Sequence, residues 1–307
     1  MFLLLLTGII AAILAIAYVC YRMGFYAPPR QSTDPDAITY PEGDIYVPFY
    51  PDMKRWTLEA RAMNPEKMEI TSFDGLKLQG KYYEFAPGAT IELMFHGYRG
   101  DAERDLSGGV QRCFRLGHSA LIVDQRCCGS SEGSTITMGI YESRDCLDWI
   151  DCILNRFGDG VRIILTGISM GASTVMMASD KNLPENVIGI LADCGYHSPR
   201  EIVKTIIRGM GIPDWLGYPF AWLGAKIYGH FDLEADTPVD ALRNCSVPVI
   251  FFHGEDDAYV PCCMSKLCYD ACASRKKLVT VPGAGHGLSF PVDQDGYIQA
   301  VKDFFEA

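Results

Sequence analysis

The sequence lacks the patterns that would direct it to nucleic acid or to a structural metal. Acidic residues outnumber basic ones by 38 to 27, and the formal net charge of -11 opposes nonspecific attraction to nucleic acid. None of the 12 cysteines forms a Cys-x-x-Cys pair, which is the spacing of redox and zinc sites. We therefore expect no nucleic-acid partner and no metal site.

Low-complexity segments and internal repeats are also missing, so neither long disorder nor a repeat array is indicated. The 307 residues are 49% hydrophobic and 21% charged, a composition that can bury a full core. We expect one large domain with an appendage. Nothing in the composition predicts an oligomeric state.

Residues 2–20 contain no charged side chain. This apolar run is about long enough to cross a bilayer as a helix, which takes roughly 20 residues. A cleaved signal peptide is the alternative, but no Lys or Arg precedes the run and no convincing small-residue cleavage site follows it. The pattern predicts a single-pass transmembrane anchor over residues 1–22. Arg22 and Arg30 follow the span, and this bias places the body of the chain in the cytoplasm.

Prolines dominate the next segment and predict an extended linker over residues 23–52. They are Pro28, Pro29, Pro35, Pro41, Pro48 and Pro51. The main domain is expected over residues 53–307, starting with a short helix from Trp56 to Met63.

Alternating and apolar runs predict an α/β domain. Residues 67–71 and 76–83, separated by Asp74-Gly75, indicate a β-hairpin. Six apolar strands then alternate with helical segments, which is typical of a mostly parallel sheet flanked by helices. They are residues 91–95, 120–123, 162–165, 188–192, 249–252 and 277–281.

The motif Gly167-Ile168-Ser169-Met170-Gly171 stands between a predicted strand and a predicted helix. This is the context of a nucleophile elbow, in which a tight, strained turn exposes the serine hydroxyl. A serine needs a base and an acid that orients the base, in the chain order Ser, Asp, His. The sequence therefore predicts Ser169 as a nucleophile.

The acid and the base follow at the ends of later strands. His-Gly-Glu-Asp-Asp-Ala-Tyr-Val-Pro at 253–261 ends one strand, and Gly-Ala-Gly-His-Gly at 283–287 follows the last. Both loops fall at the sheet edge where Ser169 is expected, which makes His286 the predicted general base. The backbone N–H groups of Tyr98, after His96-Gly97, and of Met170 are the predicted oxyanion hole, and His96 is expected to brace its loop.

From about residue 67 to 305 the chain resembles the α/β-hydrolase family, in particular its membrane-anchored, serine-aminopeptidase-like or acylglycerol-lipase-like branch. The matching motifs are HGY at 96–98, DQRCCGSSEG at 124–133, GISMG at 167–171, LADCGYHSP at 191–199, HGEDDAYVP at 253–261 and GAGHG at 283–287. The family's spacing implies Asp257 as the acid in preference to Asp256, with Asp193 as a minor alternative. Where the family has Arg-Gly-His-Gly, this chain has Arg126-Cys127-Cys128-Gly129, a change expected at the rim of the pocket.

The long, aromatic interval at about 199–240 predicts an inserted helical lid, with Trp215 and Trp222 as candidate substrate-binding residues. Its alternative is a helix pair that only packs. The expected activity is hydrolysis of an acyl lipid or small ester through an acyl-enzyme, with no cofactor. A serine peptidase or amidase acting on short peptides is the alternative, and a noncatalytic binding protein, which would predict an eroded triad, is a distant one.

Overall fold

The computed structural model describes residues 2–28 and 37–306. Its strands are β1 (Glu66–Thr71), β2 (Lys77–Tyr83), β3 (Ile91–Phe95), β4 (Ser119–Val123), β5 (Ile163–Ile168), β6 (Val187–Asp193), β7 (Val249–Gly254) and β8 (Lys276–Val281). Its helices are α1 (Phe2–Gly24), α2 (Tyr50–Ala62), α3 (Ala102–Leu116), α4 (Glu142–Phe157), α5 (Met170–Met177), α6 (Pro199–Gly209), α7 (Asp214–Tyr228), α8 (Pro238–Leu242), α9 (Cys263–Ala271), α10 (Ser289–Val292) and α11 (Gln294–Phe305). Short 3-10 turns cover Asp44–Phe49 and Ala178–Asp180.

The strands form one eight-stranded sheet in the order β1-β2-β4-β3-β5-β6-β7-β8. The first two strands are the predicted antiparallel hairpin, and Gly75 turns it with φ of +91°. From β3 onward each neighbouring pair is parallel. The predicted α/β-hydrolase fold, a mostly parallel sheet flanked by helices, is confirmed.

Burial explains why the central strands are apolar throughout. Every residue of β3, β4 and β7 is buried, because the crossover helices cover both faces of the sheet. One face packs against α4, α5 and α8, and the other against α3 and α11. The carboxyl ends of β3, β5, β6, β7 and β8 therefore meet at one edge, where the loops that follow them are brought together.

The segment between the apolar helix and the domain is more structured than its prolines suggested. Helix α2 begins at Tyr50, six residues before the predicted start at Trp56, because Pro51 occupies the first turn, where its missing N–H costs nothing. Tyr26 pairs with Thr135 in an isolated β-bridge as soon as α1 ends. Residues 29–36 of the predicted linker lie outside the described residues.

Helix α1 is long and apolar enough to cross a membrane, and it extends two residues past the predicted end of the span. Its buried side chains are Ala17 and Tyr21, and both belong to the half that contacts the domain. The predicted lid interval folds as α6 and α7, which pack on each other, followed by α8.

Candidate active site

Ser169 lies on the sharp turn between β5 and α5. Its φ of 56° and ψ of -118° are strained for a residue with a side chain, as a nucleophile elbow requires. A Cβ added at Gly167 would lie 2.1 Å from the carbonyl oxygen of Gly171, and one added at Gly171 would lie 2.0 Å from that of Phe95. The two glycines are therefore required by backbone contacts on both sides of the turn.

His286 and Asp257 complete a hydrogen-bonded chain with this serine. His286 Nε2 lies 2.8 Å from Ser169 Oγ, and His286 Nδ1 lies 2.6 Å from Asp257 Oδ2. The three residues come from the loops after β5, β7 and β8, which the parallel sheet delivers to the same edge. The geometry allows a proton to pass from Ser169 to the imidazole while Asp257 fixes the ring.

The Asp257 carboxylate is buried but amply paired. Its Oδ1 accepts the backbone N–H groups of Tyr259 and Val260 at 2.9 and 2.8 Å. Burial would raise the pKa of Asp257, but the hydrogen bonds from His253 and His286 outweigh it and hold the pKa below its usual range. The Asp257 carboxyl group is therefore ionised at neutral pH and can pair with a protonated His286.

The two other carboxylates considered for this role have different positions. Asp256 is exposed, next to its buried neighbour. Asp193 ends β6 and accepts a hydrogen bond at 2.8 Å from the Ser289 hydroxyl, and burial raises its pKa. Its backbone carbonyl accepts the Ser169 N–H at 2.8 Å, so Asp193 supports the elbow, whereas Asp257 is the carboxylate bonded to His286.

The loop after β3 runs beside the serine. A Cβ placed on Gly97 would lie 4.0 Å from Ser169 Oγ, so the Tyr98 amide that follows is close to the reacting position. Met170 is the first residue of α5, and its N–H is one of those that a helix leaves without an acceptor of its own. These are the two predicted oxyanion amides.

His96 and Asp105 both form hydrogen bonds with this loop. His96 is buried, with Nδ1 2.7 Å from the Gly97 carbonyl and Nε2 accepting the Gln125 N–H at 3.0 Å. Asp105, in the first turn of α3, accepts the Gly97 N–H at 3.1 Å. The first contact fixes the Gly97–Tyr98 peptide, which carries the Tyr98 N–H, and the second fixes the peptide before it.

A cavity of about 640 Å³ opens at Ser169 and His286. Its lining is mainly apolar and aromatic, although charged side chains such as Arg99, Arg104 and Asp105 also belong to it. It includes Tyr98, Met138, Tyr196, Ile202, Ile206 and Val260. Such a wall suits an acyl chain better than a charged group.

The two tryptophans predicted to bind substrate lie on α7, outside the lining of this cavity. Trp215 is 74% exposed, and the Trp222 indole donates to Asp232. The predicted lid interval contributes Ile202 and Ile206 of α6 to the lining instead.

The end of α1 is joined directly to the loop after β3. The Tyr98 hydroxyl donates to the carbonyl of Gly24 at 2.8 Å. The Arg99 guanidinium donates to the carbonyls of Met23 and Tyr26 at 2.8 and 3.0 Å. These contacts cap the end of the helix and join it to two residues of the cavity lining, Tyr98 and Arg99.

Sequence reasoning missed two residues of the site. His253 is buried, and its Nε2 lies 3.2 Å from Asp257 Oδ2. It stands in the HGEDD motif, so its position at the end of β7 was a signal. Asp105 gave a weaker signal, as one of several acids that begin a helix.

Comparison with known proteins agrees with the fold. Residues 93–300 match the model described as the alpha/beta hydrolase family. The chain is 25% identical over 313 residues to the uncharacterized protein YqkD of Bacillus subtilis (strain 168), covering 99% of this chain and 96% of the relative. It is 26% identical over 216 residues to the lysophosphatidylserine lipase ABHD12 of Danio rerio, covering 68% of this chain and 53% of that protein. The solved structure of the esterase Pf2001 of Pyrococcus furiosus is similar, with a TM-score of 0.66 at 18% identity over 88% of this chain and 96% of that one.

Proposed function

The chain belongs to the alpha/beta hydrolase family, and from this premise we propose that it is a serine hydrolase that cleaves the ester of an acyl lipid or small molecule. The observation that carries the proposal is the hydrogen-bonded chain from Ser169 through His286 to Asp257. In the proposed roles, Ser169 is the nucleophile, His286 the general base and Asp257 the acid that orients it. Helix α1 is the proposed membrane anchor.

Acylation begins when Ser169 Oγ attacks the ester carbonyl carbon and gives its proton to His286 Nε2. The Nδ1–H of the same ring donates to Asp257, which stabilises the imidazolium that forms. The carbonyl oxygen becomes an oxyanion, held by the N–H groups of Tyr98 and Met170. Collapse of this intermediate breaks the C–O bond, and the alcohol leaves with the proton from His286.

Deacylation repeats these steps with water. His286 takes a proton from a water molecule, whose oxygen attacks the acyl carbon bound to Ser169. The acid product leaves and the proton returns to Ser169 Oγ. One ester and one water give one acid and one alcohol, and no cofactor enters the balance.

Three features favour an ester with an acyl chain as the substrate. The cavity lining is mainly apolar, its residue Tyr98 is bonded to the end of the proposed anchor, and the relative from Danio rerio is named a lysophosphatidylserine lipase. The alternative of a serine peptidase, and the assignment of the body to the cytoplasm, stay predictions from sequence.

The test is hydrolysis by the full chain in detergent micelles of p-nitrophenyl esters from acetate to laurate, and of a monoacylglycerol. We expect turnover that rises with chain length to an optimum and that disappears in Ser169→Ala. Ser179→Ala is the matched control, because the Ser179 hydroxyl is buried without a hydrogen-bond partner among the described residues and lies outside the cavity lining. Turnover that survives in Ser169→Ala, or that occurs with aminoacyl amides and not with esters, would overturn the proposal.

A further inference from the structure

Helix α1 packs along α7 with only part of its length. A Cβ added at Gly224 would lie 2.3 Å from the carbonyl oxygen of Ala17, so the two backbones touch. One turn later in α7, the Tyr228 hydroxyl donates to the carbonyl of Leu14 at 3.2 Å. Because the later residue of α7 meets the earlier residue of α1, the two helices run antiparallel.

The part of α1 that extends past this contact is too short to cross a bilayer by itself. Residues 2–13 span about 18 Å at 1.5 Å per residue, whereas the hydrocarbon core is about 30 Å thick. The uncharged apolar run of α1 continues past this contact to Cys20. Leu14 and Ala17, together with the part of α7 that touches them, therefore lie at a depth that the bilayer must cover.

The end of α7 has side chains that suit this depth. Ile227 is exposed and Leu223 is half-buried, so apolar surface faces outward next to α1. The Lys226 ammonium lies 4.8 Å from the centre of the Trp222 ring, and both residue types are typical of the boundary between lipid and water. The polar end of Tyr228 already has its partner in α1.

We propose that residues 222–228 of α7 form a second membrane-contacting element, which lies beside α1 in the leaflet of a phospholipid bilayer that faces the domain. This inference rests on the proposed role of α1 as a membrane anchor, and it deepens the proposed function. Helix α6 packs against α7 and contributes Ile202 and Ile206 to the cavity wall. Seating α7 in the bilayer therefore brings the helix that packs against this cavity wall into contact with the lipids.

The experiment measures contact between Ile227 and lipid. Ile227→Trp is made in a full chain in which Trp215 and Trp222 are Phe, so that the remaining tryptophans, Trp56 and Trp149, are buried in the domain. The protein is reconstituted in phosphatidylcholine vesicles with brominated acyl chains, which quench only tryptophans in contact with lipid.

The matched control is Phe85→Trp in the same background. Phe85 is 47% exposed, similar to Ile227 at 39%. Its N–H donates to Ser119, the first residue of β4, so it lies at the opposite edge of the sheet from Ser169. Retention of each variant on the vesicles after carbonate extraction reports whether α1 spans the bilayer, and ester hydrolysis reports separately on the catalytic site.

We expect loss of most of the added emission of Ile227→Trp and none of that of Phe85→Trp. Retained protein whose Ile227→Trp emission is unquenched would overturn the inference and leave the anchor and the hydrolase proposals intact. Emission that is blue-shifted but unquenched would also overturn it, by showing that protein covers this face. Release by carbonate would overturn both the anchor and the embedded α7.

Discussion

The Tyr98 hydroxyl donates a hydrogen bond of 2.8 Å to the carbonyl oxygen of Gly24. Gly24 is the last residue of α1, and the amide of Tyr98 is a proposed donor to the oxyanion. One side chain therefore joins the proposed membrane anchor to the catalytic loop. The position of the anchor and the rate of the reaction are expected to depend on each other through this contact.

Tyr98→Phe tests this link, because it removes the hydroxyl and leaves the backbone amide in place. A hydrogen bond of this kind contributes about 1 kcal/mol, so we expect kcat to fall up to about fivefold. The control is Tyr18→Phe, which removes an exposed hydroxyl of α1 that accepts from Arg22. Equal kcat values for Tyr98→Phe and the wild type in reconstituted vesicles would refute the link.

Asp257→Asn is expected to remove most of the activity. The amide cannot accept the Nδ1–H of His286 as a carboxylate does, and the corresponding change in a serine protease lowers kcat about 10⁴-fold. Asp193→Asn is the matched comparison, since Asp193 bonds Ser289 and not His286, and we expect it to lose less than about tenfold. The measurement is kcat for ester hydrolysis by the two variants. A greater loss of kcat in Asp193→Asn than in Asp257→Asn would reverse the assignment of the acid.

Asp105 is expected to act as a positioning residue for the oxyanion loop. Asp105→Leu leaves the Gly97 N–H without its acceptor, and we expect kcat to fall by at least about tenfold, towards the 10² to 10³ lost when an oxyanion donor is deleted. Asp105→Asn retains an acceptor oxygen and should restore most of kcat. The expected signature is a change in kcat at nearly constant KM. Equal loss in both variants, or a change in KM alone, would assign Asp105 a different role.

Glu92 predicts how stability depends on pH. Burial would raise its pKa, but Arg112 and the hydrogen bonds from His118 and Thr166 lower the pKa from 4.5 to about 2. The Glu92 carboxylate therefore binds a proton less readily in the folded chain than in the unfolded chain. Its contribution to the free energy of unfolding is complete above pH 4.5 and is lost as the pH falls towards 2. The shift corresponds to about 3 kcal/mol.

Thermal unfolding of wild type and Glu92→Gln in detergent, followed by circular dichroism between about pH 5 and pH 3, checks this dependence. The variant is less stable at the higher pH because Arg112 loses its buried partner. Its Tm should fall less than that of the wild type on acidification. Parallel curves for the two proteins would contradict the assignment to Glu92.

The sequence was sufficient to predict the sheet and to select the three residues of the proposed triad. Ser169 and His286 stand in glycine-rich turns just after apolar strands, and parallel strands bring such turns to one edge whatever lies between them. Asp257 needed the spacing of a known family, because Asp256 beside it has the same chemistry. The folded chain also distinguishes them, because it buries Asp257 and exposes Asp256.

The contacts of α1 could not be predicted in this way. No sequence pattern indicates that Gly224 contacts Ala17, which lies more than 200 residues earlier in the chain. Similarly, no pattern singles out the Tyr98 hydroxyl among the 16 tyrosines as the one that bonds α1. Aromatic composition did not indicate which part of this interval meets the cavity, since Trp215 and Trp222 lie outside its lining and Ile202 and Ile206 belong to it. Substrate binding by the two tryptophans stays a prediction. Long-range packing decides these positions, and local pattern does not encode it.

The role of Ser169 as nucleophile is tested most simply by labelling the folded full chain with a fluorophosphonate probe, followed by mass spectrometry of the labelled peptide. We expect one modified residue, Ser169, with no labelling in Ser169→Ala, slow labelling in Asp257→Asn, and normal labelling in Ser179→Ala. A wild-type chain that is folded by circular dichroism and remains unlabelled, or that is labelled at another serine, would show that Ser169 is not the nucleophile.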